Sequence, residues 1–65
     1  MATDLEIRKE QRRVLFEFME IRRSIKEDNE VLNGILARQK SMMMEEDVAL
    51  VEKMFYSTYP PHPGS

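Results

Sequence analysis

The stretch VLNGIL, residues 31–36, decides how this chain folds, because it places Asn33-Gly34 within an otherwise helical pattern. An Asn-Gly pair either ends a helix or only weakens it. If the chain turns back at the glycine, it forms a small helical hairpin. If the helix continues, the chain is one long helix whose apolar face needs a partner to cover it.

Apolar residues keep one spacing across Gly34, which favours a continuous helix. Val14, Ile25 and Leu36 are eleven residues apart, and the same spacing relates Ile21, Leu32, Met43 and Met54. An eleven-residue repeat predicts a nearly straight bundle, whereas a heptad frame that starts at Val14 fits almost as well and predicts left-handed supercoiling. We therefore predict that the helix runs through Gly34, at a cost of about 1 kcal/mol relative to alanine. The hairpin is the alternative.

Both ends of the helical region carry local signals. Thr3 is a suitable N-cap for a helix that begins at Asp4, and Glu6 completes a capping box. Pro60 lacks an amide donor and ends the helical region before it. The sequence thus predicts an N-terminal cap at 1–3 and a long amphipathic oligomerisation helix over 4–40.

The remainder of the chain is open to two interpretations. Residues 41–57 are rich in methionine and either continue the long helix or form a second short helix. In the second case Ser41 is the N-cap, and the acids at 45–47 lie in or near the first turn, where the helix dipole favours negative charge. Residues 58–65 are expected to form a disordered Pro-rich tail.

A single helix cannot bury its own apolar stripe, so we expect the chain to associate as a coiled coil or helical-bundle oligomer, from dimer to tetramer. Val31 and Met42 flank the narrow seam and widen the apolar face. Asn29 falls in the eleven-residue stripe, where a buried asparagine fixes register, while Asp28 takes the central position in the heptad frame. The predicted interface residues are Val14, Leu15, Phe18, Ile21, Ile25, Asn29, Leu32, Ile35, Leu36, Met43, Val51 and Met54.

Composition limits the class of protein. With 65 residues the chain is one domain at most. Its composition indicates an all-α fold, because 42% of the residues are hydrophobic, 34% are charged and only two are glycine. It has no cysteine, which favours an intracellular setting, with cytoplasm and nucleus not distinguished. The longest apolar runs are far shorter than the roughly 20 residues that span a bilayer, so no transmembrane segment is expected.

The sequence contains no pattern typical of an active site. His62 is the only histidine, the acids at 45–47 lack the turning glycine of a calcium loop, and no glycine-rich phosphate loop is present. We therefore expect no enzymatic activity, no cofactor and no metal site. The Pro60–Pro63 spacing matches a polyproline ligand but is common by chance.

The function predicted from these features is oligomerisation or protein–protein interaction, as the assembly segment of a larger intracellular regulator or scaffold. Two alternatives stay open. The chain could be a subunit of a heteromeric helical complex. It could also be a basic amphipathic helix that binds DNA or an anionic membrane, because residues 1–26 carry seven Lys or Arg against five acids. The base-reading pattern of leucine-zipper transcription factors is missing, so nucleic acid is not the expected partner.

Overall fold

The computed structural model describes residues 2–25, 27 and 29–60, and over these residues the chain is all-helical, with no strand. The helices are α1 (Asp4–Ser24), α2 (Glu30–Ser41) and α3 (Glu45–Thr58). The predicted all-α class is confirmed, and the arrangement is that of a small helical bundle within one chain.

The start of α1 follows the local signal in the sequence. The Thr3 hydroxyl accepts a hydrogen bond from the Glu6 amide at 3.2 Å, which satisfies one of the amide groups that a helix leaves unpaired at its N-terminus. The predicted N-cap is confirmed. Asp4 and Glu6 lie in the first turn and Arg22 and Arg23 in the last, each near the end of the helix dipole that favours its charge.

The predicted continuous helix over 4–40 is wrong, because the chain leaves the helical conformation after Ser24. Ile25 is extended, with φ −92° and ψ 122°, and so is Asn29, with φ −125° and ψ 104°. The Asn29 Oδ1 accepts from the Leu32 amide at 3.0 Å and caps α2. In a continuous helix the Leu32 amide would donate to a backbone carbonyl, and here the Asn29 side chain accepts this hydrogen bond instead. A new helix start is therefore favourable at this position.

Gly34 lies inside α2 and not at a turn, so the expectation that the helix runs through it is confirmed. The chain turns back before the Asn-Gly pair rather than at it. A hairpin at Asn33-Gly34 is thereby excluded.

The segment from 41 onward forms a separate helix, which is the second of the two predicted interpretations. Ser41 does not cap it: the Ser41 hydroxyl donates to the Arg38 carbonyl at 2.8 Å at the end of α2. The N-cap of α3 is Met44, which makes no side-chain capping bond. Three acids nevertheless occupy the first turn of α3, as predicted. Of the expected tail over 58–65, residues 61–65 lie outside the described residues, and Thr58 is the last residue of α3.

Side-chain bonds show how the helices run relative to one another. Arg8 near the start of α1 bonds Asp47 near the start of α3, and Glu20 near the end of α1 bonds Tyr59, which follows α3. These two helices are therefore parallel. The Arg22 Nε donates to the Asn33 Oδ1 at 2.7 Å, joining the end of α1 to the beginning of α2, so α2 runs in the opposite direction.

The hydrophobic core lies between α1 and α3. Leu15 and Met19 of α1 meet Val51 and Phe55 of α3, and Leu15 is 0% exposed. Partly buried side chains from all parts of the bundle close around these four: Phe16, Leu36, Met43, Val48 and Tyr59. The chain thus buries part of its apolar stripe against itself, because three short helices can fold back where one long helix cannot.

Replacing Leu15 by alanine is expected to lower the free energy of unfolding by about 2–5 kcal/mol, because the cavity left at a fully enclosed site cannot collapse completely. Urea denaturation followed by circular dichroism measures the change. Leu5→Ala is the matched control, since Leu5 lies on the same helix and is 56% exposed. We expect the control to change stability by less than about 0.5 kcal/mol. Equal effects of the two substitutions would contradict this assignment of the core.

Candidate interaction surface

The bundle leaves much of its apolar surface uncovered. Among the described residues, ten large apolar side chains are exposed and five are buried. Isolated exposed apolar residues are ordinary on a protein surface, whereas a contiguous group indicates an interaction site. The exposed side chains are Leu5, Ile7, Ile21, Val31, Ile35, Met42, Met44, Leu50, Met54 and Tyr56.

A contiguous group lies on the outer side of α2. It lines a groove of about 540 Å³ between α2 and Phe18 of α1. Val31 is 73% exposed, and Ile35 and Met42 follow it at helical spacing. We call this surface the α2 face, and it consists of Glu30, Val31, Gly34, Ile35, Arg38, Gln39 and Met42.

Gly34 makes a notch in the middle of the α2 face. A Cβ atom added at this position would meet no atom of the described residues within 4 Å. Glycine within a helix costs up to about 1 kcal/mol relative to alanine, and no contact among the described residues requires it here. Its absent side chain allows the backbone of another helix to approach closely.

The charges of the α2 face are arranged evenly about this notch. Glu30 precedes Gly34 by four residues and Arg38 follows it by four, and both side chains are exposed. Four residues are close to one helical turn, so both charges flank the glycine on the same side of α2. The face therefore carries a negative end, an apolar middle and a positive end.

An ion-pair cluster at the other edge of the bundle fixes α3 against α1. The Arg8 Nε donates to Asp47 Oδ2 at 2.9 Å and the Arg8 Nη2 to Asp47 Oδ1 at 3.0 Å, a bidentate pair. Asp47 is 4% exposed, and Arg12 Nε lies 3.9 Å from its Oδ1. The hydrogen bonds from Arg8, together with the charges of Arg8 and Arg12, hold the pKa of Asp47 below its ordinary value of 3.8, against the desolvation that would raise it.

A second polar contact closes the opposite end of the same helix pair. The Tyr59 hydroxyl donates to Glu20 Oε2 at 2.7 Å, and the guanidinium of Arg23 lies 4.5 Å from the centre of the Tyr59 ring. The hydrogen bond to the Glu20 carboxylate raises the pKa of Tyr59. The centre of the Phe55 ring lies 5.1 Å from the centre of the Tyr59 ring, so this end of the helix pair is partly apolar.

The predicted interface residues do not form one surface. Among them Leu15, Leu32 and Val51 are buried within the chain, while Ile21, Ile35 and Met54 are exposed. The others are half-buried: Val14, Phe18, Ile25, Asn29, Leu36 and Met43.

The stripe is divided because the helix that would carry it is interrupted at Ile25 and Asn29, which are extended, and again at 42–44. Asn29 uses its side chain to cap α2 and does not face a seam as predicted. Asp28, the central residue of the heptad frame, lies outside the described residues.

Sequence reasoning placed Val31 and Met42 beside the seam and treated Gly34 only as a weak point of the helix, and so did not recognise the three as one surface. The signal that could have found it is the helical spacing of Val31, Ile35 and Met42 around a glycine. His62 and most of the Pro60–Pro63 spacing lie outside the described residues. Within those residues no cluster of His, Asp or Glu could hold a metal ion, and no helix is long and apolar enough to cross a membrane.

No family model, no curated protein and no solved structure matches this chain.

Lowering the pH is expected to destabilise the bundle through Asp47. Because the pKa of Asp47 is depressed in the folded protein, the ionised form stabilises the fold above the ordinary pKa of 3.8, and this contribution is lost as the pH falls through the lower folded pKa. The midpoint temperature of thermal unfolding, measured at a series of pH values from about 7 to about 2, should decrease once the pH is below about 4.

Asp47→Asn should lower the midpoint temperature of unfolding at neutral pH, because the neutral amide loses the charge-assisted bonds to Arg8. The midpoint temperature of this variant should also change less with pH than that of the wild type. Glu45→Gln is the matched control, since Glu45 is exposed in the same first turn of α3. A pH profile that is the same in Asp47→Asn as in the wild type would contradict this role of Asp47.

Proposed function

We propose that this chain is a protein-interaction module that self-associates through the α2 face. The observation that carries the proposal is the exposed apolar group of Val31, Ile35 and Met42 around the notch at Gly34. The resulting role is that of an assembly segment, which brings copies of a larger regulator or scaffold together without chemistry of its own.

The charge pattern supports a second copy of the chain as the partner. In a two-fold symmetric dimer each contact occurs twice, so a surface must be complementary to itself. If two α2 helices cross in opposite directions at Gly34, Glu30 of each copy comes beside Arg38 of the other, because the two charges are equally far from the glycine.

The apolar residues fit the same arrangement. The notch at Gly34 lets the two α2 backbones approach, and Val31 and Ile35 of each copy then pack beside the crossing point. Complete burial of a valine or isoleucine side chain contributes about 1.5–3 kcal/mol. Val31, at 73% exposed, has the most to gain from such burial.

Ile35→Glu is expected to abolish self-association while leaving the helices intact, because it places a charge in the apolar middle of the α2 face. Sedimentation equilibrium over a wide concentration range gives the mass in solution, and circular dichroism gives the helix content. Leu50→Glu is the matched control: Leu50 of α3 is 40% exposed and Ile35 is 41% exposed. The wild type and the control should be dimeric and Ile35→Glu monomeric. A monomeric wild type would contradict self-association and point to a heterologous helical partner.

Gly34→Ala is expected to change folding and association in opposite directions. The added methyl group meets no neighbour in the part of the chain that the structure describes, so the free energy of unfolding of the monomer should rise by about 0.5–1 kcal/mol. The same methyl group fills the notch and should weaken the dimer. Urea denaturation at low concentration measures the first effect and sedimentation equilibrium the second. Unchanged association would contradict a crossing point at Gly34.

A further inference from the structure

A second groove lies on a different side of α2, where all three helices meet. It has a volume of about 280 Å³. Met19 of α1 and Phe55 of α3 are buried and form its floor, Leu36 of α2 is half-buried beside them, and Tyr56 is exposed at the rim. We call it the three-helix groove.

The rim of the three-helix groove is positively charged. Arg22, Arg23 and Lys40 line it, and no acidic residue among the described ones does. This concentration of cations occurs in a chain with a net charge of −2, so it is a local feature and not a consequence of composition. A cleft lined by one sign of charge attracts ligands of the opposite sign.

Two of these cations have no carboxylate partner in the part of the chain that the structure describes. Arg23 lies over the ring of Tyr59, a neutral group, and no acidic side chain is within ion-pair distance of Arg23 or Lys40. In contrast, Arg8 and Arg13 on other parts of α1 are both paired with acids. The charges of Arg23 and Lys40 are therefore available to an external anion.

The shape of the groove selects among anionic ligands. Nucleic acid binding relies on an extended series of phosphate contacts, and binding to a lipid surface relies on a broad apolar helix face. The three-helix groove is instead a small concave site with an apolar floor, slightly below the usual volume of a small-molecule pocket. Its size suits one large apolar side chain flanked by carboxylates.

We propose that the three-helix groove binds an acidic peptide segment of a partner protein. One aliphatic or aromatic side chain of the peptide enters between Leu36 and Phe55, and carboxylates on either side of it pair with Arg23 and Lys40. The groove is separate from the α2 face, so this binding does not depend on self-association.

The test uses the full isotope-labelled chain and a short acetylated peptide in which one phenylalanine is flanked by glutamates. Backbone amide shifts, recorded by NMR at low salt, should change around Leu36, Phe55 and Tyr56, and the affinity should fall as salt is added. A second peptide with glutamine in place of each glutamate should bind at least about tenfold more weakly. Equal binding of the two peptides, or no shifts at the groove, would overturn the proposal.

Lys40→Glu should weaken binding of the acidic peptide by about tenfold, because it reverses a charge at the rim. Lys53→Glu makes the same change in net charge at an exposed position of α3 outside the groove and should leave the affinity within about twofold. Equal losses would show attraction to net charge alone and overturn the proposal. Phosphatidylserine vesicles or single-stranded DNA that shift the groove signals when the peptide does not would also overturn it, in favour of a lipid or nucleic acid ligand.

The Ile35→Glu chain distinguishes this proposal from the proposed function. If it is monomeric and still binds the acidic peptide, both hold. If the wild type does not self-associate but binds the peptide, the groove assignment stands while the dimer does not.

Discussion

The bidentate ion pair between Arg8 and Asp47 sets the register on which the rest of the bundle depends. Asp47, Val51 and Phe55 are the buried residues of α3 and follow one another at four-residue spacing. Asp47 bonds Arg8, and Val51 and Phe55 pack with Leu15 and Met19 of α1. Once Arg8 holds Asp47, Val51 and Phe55 come opposite Leu15 and Met19. The Asp47 side chain is 5% exposed and the Arg8 side chain 37% exposed, so a misaligned pair would leave the buried carboxylate unpaired.

The same register accounts for the far end of the helix pair. Tyr59 lies one turn beyond Phe55 and so reaches Glu20 and Arg23 at the end of α1. α3 covers one side of α1 and α2 covers another, so none of the described helices covers the outward side of α2. The exposed α2 face and the three-helix groove are both consequences of a bundle too small to enclose all of its apolar residues.

Sequence reasoning correctly located features that depend on neighbours within one turn. The Thr3 cap, the acids in the first turn of α3 and the helical state of Gly34 are of this kind. The eleven-residue spacing misled, because three helices that share one core need apolar residues on their inner faces just as one continuous helix does. Periodicity therefore shows that a face is apolar but not whether the helix carrying it is interrupted. Asn29 was a visible capping signal, although the stripe suggested a different role for it.

The sequence by itself determined that the chain is helical and where α1 begins, because propensities and caps act over three or four residues. Only the tertiary structure decided that the chain folds back after Ser24, which apolar residues are buried and which form the α2 face. The reason is that burial depends on contacts such as Arg8 with Asp47, 39 residues apart in the sequence. No periodicity along a single helix encodes those contacts.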